Sequence, residues 1–147
     1  MILDVGCGSN PRGDVNVDIG PTVLARDSGK YTRANLYASC NALPFKDNSF
    51  EIVHFVGVLH HVKNPLVAWR EMVRVCSGMI VGEEPSKFNI HAYLDKYHIF
   101  HGFTKHQMIQ LCKDSRLLEY RVLYYFNRLD CMNLHITAIK RTRDVQA

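Results

Sequence analysis

The chain has no run of about 18 consecutive apolar residues, the length a membrane-crossing helix needs. Its start shows no basic stretch leading into an apolar one. From these two absences we expect a soluble, cytoplasmic protein with no membrane partner. Paired cysteines are also missing. The five cysteines are an odd number and none stands in a zinc-type pair, so a reducing compartment is expected rather than a disulfide framework. Cys7, Cys40, Cys76, Cys112 and Cys131 have apolar neighbours and read as small buried hydrophobes. A large charge excess is absent as well. The formal net charge is +4, and the basic stretch Lys140-Arg141-Thr142-Arg143 gives only a weak pointer to nucleic acid. There are no internal repeats and no low-complexity segment. What remains is a chain of 147 residues, 47% apolar, enough for one domain (1–147) with a real core.

Strand and helix signals alternate along the chain. Strands are expected at Ile2–Val5, Val15–Ile19, near Asn35–Ser39, at Glu51–Val58 and at Met79–Gly82. In the fourth, Ile52, Val53, Phe55, Val56 and Val58 put apolar groups on both faces, the pattern of a central parallel strand. Asn64-Pro65 opens a helix to Cys76, with Asn64 as cap and Pro65 in the first turn. Leu66, Trp69, Val73 and Cys76 form its apolar stripe. A second helix, Thr104–Ser115, starts with a capping box of Thr104 and Gln107. Leu117–Phe126 and Leu134–Lys140 read as a closing pair of strands.

The most telling segment is Leu3-Asp-Val-Gly-Cys-Gly8, followed by Val15-Asn16-Val17-Asp18. An apolar run enters a glycine turn, and a second apolar run ends in a carboxylate. Gly6 and Gly8 permit backbone conformations closed to other residues, so a ligand could lie against the main chain. Asp18 is placed to accept hydrogen bonds from a ribose diol. Downstream stand Asn41-Ala42-Leu43-Pro44-Phe45 and Leu59-His60-His61-Val62.

Together these motifs resemble the class I S-adenosylmethionine-dependent methyltransferases, most nearly the small-molecule-like, type 11 branch. The resemblance runs through Ile2–Val81 and more loosely through Phe103–Arg141. It implies an α/β, Rossmann-like, mostly parallel sheet of about seven strands with an antiparallel last strand. It also implies S-adenosyl-L-methionine as cofactor. Asp4, Gly6, Cys7 and Gly8 would contact its methionine part, and Asp18 would hold its ribose. Ser39 stands where the family often has an aspartate that reads the adenine amino group, and the Cys40 amide could serve adenine.

Only nine residues, Gly6–Asp14, separate the first two strands. A parallel crossover usually takes a dozen or more, including its helix. That helix is therefore expected to be missing or cut to one turn, and Pro11 and Gly13 agree. With both confident helices on one face by the resemblance, the helices on the other are reduced. A bare apolar face is unusual on a monomer, so we expect a homodimer, or else Gly20–Arg33 or Pro85–Gly102 folding back as cover.

For catalysis, His60 and His61 end the fourth strand at the carboxyl edge, where open α/β sheets bind ligands, and are the candidates for base or acceptor contact. Glu83 and Glu84 could bind a cationic acceptor or lie in solvent. His54 reads as a hydrogen-bonded interior residue, and Arg12 could pair with the cofactor's carboxylate. His91, His98, His101 and His106 are loosely spaced with no cysteine partner, so no metal is expected. Tyr93, Tyr97, Phe100 and Phe103 suit a pocket wall or lid. The Asp/Asn-Pro-Pro-Tyr/Phe signature of base-amino methylation is absent; Gly57-Val58-Leu59-His60 stands there. The reading is therefore a methyltransferase acting on a small-molecule acceptor. The alternatives are a non-catalytic methyltransferase-fold binding subunit and an RNA-modifying methyltransferase.

Overall fold

The computed structural model describes residues 1–21, 30–89, 99, 102–115, 119–126 and 132–140. Seven strands form one sheet: β1 (Ile2–Val5), β2 (Val15–Asp18), β3 (Leu36–Tyr37), β4 (Phe50–Val56), β5 (Cys76–Pro85), β6 (Glu119–Phe126) and β7 (Met132–Ile139). Their order is β3-β2-β1-β4-β5-β7-β6. Neighbours from β3 to β5 pair in parallel, while β7 runs antiparallel to both β5 and β6. The chain leaves β1 towards β2 and returns to lay β4 on β1's other side. That reversal opens a crevice at the carboxyl ends of β1 and β4, where such sheets bind ligands.

Two helices are present among the described residues: α1 (Pro65–Val75) and α2 (Lys105–Asp114). Asn64 caps α1 by accepting from the Val67 amide, with Pro65 in the first turn. Thr104 and Gln107 close the expected capping box on α2. Register shows which face they cover. Leu3, Val53, Ile80 and Ala138 align across β1, β4, β5 and β7, as do Val5, Phe55, Gly82 and Ile136. All but Gly82 appear in the buried core, with Trp69 and Met72 of α1 and Met108 and Cys112 of α2 packed into it. Trp69 meets Phe55 edge-on, centroids 6.1 Å apart. The Phe55 ring occupies the space a side chain at residue 82 would need. Both helices therefore share one face, as expected.

The other face carries Ile2, Ile52, Met79 and Ile139 in one row, then Asp4, His54, Val81 and Thr137. Among the described residues no helix packs there. Residues 6–14 cross from β1 to β2 without a helix. Hydrogen bonds hold this crossover instead: the Arg12 amide donates to Asp4 Oδ2 at 2.8 Å, and the Asp14 amide donates to the Ile2 carbonyl at 2.9 Å.

Several expected boundaries move. β3 is shorter than Asn35–Ser39, because Ser39 turns the chain: its hydroxyl oxygen accepts from the Asn41 amide. β4 stops at Val56, since Gly57 takes a positive φ of 65°. His60 and His61 thus do not end β4; they lie in a separate 3-10 turn, Leu59–His61. β5 is longer than Met79–Gly82. Cys76 serves both as the C-cap of α1 and as the first strand residue, leaving no room for a connecting loop. Gly78 continues the strand because a side chain there would strike the Glu51 carbonyl, 2.7 Å from the Cβ position.

Candidate functional site

The glycine turn leaves β1 with Gly6 at φ 67° and Gly8 at φ 54°. The amides of Gly6 and Cys7 donate to the Val17 carbonyl at 2.7 and 3.1 Å, and the Gly8 amide donates to Asp18 Oδ2 at 2.9 Å. These three N–H groups are thus committed to β2, not offered to a ligand. Gly6 is needed for a second reason. A Cβ on it would stand 2.5 Å from Val58 Cγ2, so the turn after β4 packs directly on the glycine turn. Sequence reading found the backbone freedom but not this contact.

Asp18 is half-buried at the end of β2. Oδ1 accepts from the Ile19 amide at 2.7 Å and Oδ2 from Gly8. Thr32 Oγ1 lies 2.9 Å from the Gly8 carbonyl and 3.2 Å from Asp18 Oδ2. It has a single proton, and the shorter contact is to the carbonyl. A carboxylate offers about four lone-pair sites, so each Asp18 oxygen keeps roughly one for a further donor, which matches a vicinal diol. Thr32 also touches the Cys7 thiol at 3.6 Å. It was not singled out from the sequence, where a lone threonine in a loop carries no signal.

Ser39 and Cys40 follow β3 at the same edge. The Cys40 amide donates to no backbone carbonyl among the described residues and faces its own thiol, a weak acceptor, which leaves it able to serve an adenine ring nitrogen. Burial pushes the Cys40 thiol up to about 11, and the charges of Glu84 and Asp18 add to this. Cys7 is raised for the same first reason. Both thiols stay protonated near neutral pH and line the site as neutral groups. Asn41 Oδ1 is buried without a partner. The residues at this edge therefore fit an adenosyl group: a diol acceptor at Asp18, and an open amide at Cys40.

Asp4 sits apart from that edge. It is buried, with Oδ2 taken by the Arg12 amide and Oδ1 3.0 Å from His54 Nδ1. His54 is thus a hydrogen-bonded strand residue, as its sequence position suggested. The Arg12 backbone is held beside β1 through that amide.

On the β4 side, Glu84 corrects an expectation. Neither solvent-exposed nor open to an acceptor, it is only 1% exposed. Its carboxylate accepts from the amides of Val58 and Leu59 at 2.8 and 2.7 Å and meets His60 Nδ1 at 2.6 Å. His60 is buried and His61 partly exposed, with ring centroids 4.0 Å apart. Glu83 points to the opposite face, where Tyr125 donates its hydroxyl at 2.6 Å. Desolvation, with that carboxylate adding, holds Tyr125 well above its ordinary range. Alternation along β5 was the available signal that the two glutamates would part.

His91, His98, His101, Tyr93, Tyr97, Phe100 and Cys131 lie outside the described residues. His106 is exposed beside Gln110, and Phe103 is buried. Among the described residues no cluster of three or more His, Cys, Asp or Glu side chains is placed to hold a metal ion. No helix among them is long and apolar enough to cross a membrane.

Comparison with known proteins agrees with this geometry. The methyltransferase domain family matches residues 3–78. An uncharacterized protein of Methanocaldococcus jannaschii is 31% identical over 133 residues, spanning 84% of this chain. The chain spans about half the length of that curated relative, 56%. Among solved structures, a SAM-dependent methyltransferase of Thermotoga maritima aligns with a TM-score of 0.73 at 16% identity, over 95% of this chain and 82% of that one. A SAM-dependent methyltransferase of Methanosarcina mazei aligns with a TM-score of 0.65 at 19% identity, over 95% and 91%. Structures this distant in sequence share the fold, and the family match covers more than half of the chain, from β1 through the start of β5. On that ground, the chain belongs to the methyltransferase domain family.

Proposed function

We propose that this protein is an S-adenosylmethionine-dependent methyltransferase acting on a small-molecule acceptor. The observation that carries the reading is Asp18: a half-buried carboxylate beside the glycine turn, with acceptor capacity left on Oδ1, and on Oδ2 when the Thr32 proton goes to the Gly8 carbonyl. When bound, S-adenosyl-L-methionine supplies an electrophilic methyl group on a sulfonium sulfur. The chain's part is to bind and orient. Asp18 accepts from the ribose hydroxyls, the Cys40 amide donates to adenine, and Ser39 lies beside it. Gly6, Cys7 and Gly8 form the wall for the methionine part, and Asp4 supports that wall through the crossover it pins. Holding two reactants at about 3–3.5 Å can supply several kcal/mol of a transfer barrier. His60 and His61, on the turn after β4, are the residues proposed for the acceptor's side of the crevice. Either could take a proton from an acceptor hydroxyl or amine.

The described cysteines Cys7, Cys40, Cys76 and Cys112 are free thiols, which supports a reducing, cytoplasmic setting. A second copy of the chain is the proposed cover for the helix-free sheet face. Isothermal titration with S-adenosylmethionine and S-adenosylhomocysteine tests the central reading. Saturable binding with one site per chain is expected. No heat at millimolar cofactor would refute it.

A further inference from the structure

We propose that Glu84 is a positioning residue for the acceptor side of the site: it sets the proton of His60 on Nδ1 and folds the turn that carries His60 and His61. The inference rests on the methyltransferase reading above, since it gives those histidines their place beside the transferred methyl group.

The turn Leu59–His61 has no cap of its own. Val58 is its N-cap residue and makes no side-chain capping bond. Glu84 supplies the cap from the neighbouring strand: Oε1 accepts from the Val58 and Leu59 amides at 2.8 and 2.7 Å, and Oε2 faces the His60 amide at 3.4 Å. A neutral acceptor could still accept from those amides, though more weakly. Burying a carboxylate costs several kcal/mol unless it is well paired. The two amides gain from the charge, and the imidazole, with Nδ1 2.6 Å from Oε2, adds the shortest contact. The amides around Glu84 are donors, and if the carboxylate is ionised the short contact makes His60 Nδ1 a donor as well. An ionised carboxylate accepts only, so in this pairing His60 Nδ1 carries a proton and Nε2 is the acceptor nitrogen of the neutral ring. A carboxylate that fixes a histidine tautomer is the same device that orients the histidine of hydrolase triads.

The placement ties this pair to the cofactor edge. Cys40 feels both Glu84 and Asp18. Val58, held by Glu84, is the residue against which Gly6 packs. Gly57 turns the chain at a positive φ of 65°, with the His60 Cε1 atom 3.3 Å from its Cβ position. Among the described residues, the ionisable groups that meet the His60 ring include Glu84 from β5 and His61 from its own turn, and Cys40 lies near enough to feel the Glu84 charge.

The test is long-range proton–nitrogen correlation NMR of the histidine rings in the full, nitrogen-15-labelled chain. Wild type should show His60 with its proton on Nδ1, and that proton should persist as pH is varied while Nε2 titrates. Glu84→Gln keeps an oxygen for the two amides but turns an N–H donor towards Nδ1. The ring proton should then move to Nε2, with the Val58 and Leu59 amide signals and S-adenosylhomocysteine affinity kept, the latter within about twofold. An unchanged His60 signature in Glu84→Gln would overturn the proposal. If that variant does not fold, a wild-type Nδ1 that loses its proton before Nε2 would overturn it equally. Wild type that fails to bind S-adenosylhomocysteine would instead count against the methyltransferase reading, leaving the ring assignment to stand on its own spectra.

Discussion

At the residue scale, Asp18 and Gly6 separate two kinds of requirement. Asp18→Ala removes the proposed diol acceptor and should weaken S-adenosylhomocysteine binding by about 1–3 kcal/mol in a calorimetric titration, the range for losing hydrogen bonds to a charged group. Unchanged affinity would place the ribose elsewhere. Gly6→Val should fail differently. Its positive φ of 67° disfavours a β-branched residue, and its Cβ would collide with Val58 Cγ2. We expect a loss of about 1–3 kcal/mol of stability in urea unfolding, in addition to loss of cofactor binding. Gly6→Ala combined with Val58→Ala should recover more stability than Gly6→Ala alone, because the clash goes while the backbone strain stays. The asymmetry reflects what a sequence can carry. Residue type and spacing marked Asp18 and Gly6, since a carboxylate at a strand end and paired glycines each have a local meaning. The contact between residues 6 and 58, the committed amides of the turn, and the burial of Glu84 depend on segments brought together only by the sheet. No local pattern encodes them.

At the element scale, α1 does more than cover the sheet. Near its C-terminus Arg74 donates to the Leu43 and Phe45 carbonyls at 2.9 and 2.7 Å, to Asp47 at 2.9 Å and to Glu71 at 2.7 Å. Glu71 in turn accepts from the Leu43 amide at 2.8 Å. The helix thereby clamps the Leu43-Pro44-Phe45 loop that leads out of Ser39 and Cys40. Arg74→Ala should cost about 1.5–3 kcal/mol of stability by denaturant unfolding. It should also lower cofactor affinity, as the Cys40 amide loses its fixed place. The clamp has a pH signature. The Arg74 hydrogen bond holds the Glu71 carboxyl below its ordinary value of 4.5, against some desolvation. A lowered acid contributes stability above its unfolded value and loses it as pH falls through the folded one. The stability gap between wild type and Glu71→Gln should therefore be full above about pH 4.5 and shrink below it. A gap that grows on acidification would refute the clamp. Helix starts were readable here because caps are local: Asn64-Pro65 and the Thr104–Gln107 pair form as expected. The ends of β3 and β5 were not, because strand length depends on what the neighbouring strand and the preceding helix leave available.

At the scale of the whole molecule, the unequal faces of the sheet are the feature to explain. Counting residues between β1 and β2 was enough to foresee a crossover without a helix, since nine residues cannot hold one and still return the chain. The consequence, among the described residues, is a sheet face without a helix, where Ile2, Ile52, Met79 and Ile139 align across four strands. Ile139 is 45% exposed there and Leu123, on β6, 38%. The next row mixes Asp4, His54, Val81 and Thr137, so the surface is apolar at one end and polar towards the carboxyl edge. Pairing by a two-fold axis would bury the aliphatic row of one copy against that of another while leaving both ligand edges open, because the rows lie at the opposite end of the strands from Asp18 and His60. Light scattering should then give twice the 16.9 kDa of one chain. Ile52→Glu and Met79→Lys, which place charge in the centre of that row, should each return the mass to a single chain. The fold should persist, because both side chains lie outside the buried core between the sheet and its helices. S-adenosylhomocysteine affinity should hold in both variants, since neither residue belongs to the glycine turn, the Asp18 edge or the Cys40 loop. A wild-type mass of one chain at concentrations well above micromolar would exclude the dimer under those conditions. The partly exposed apolar row would then be a feature the monomer tolerates in water.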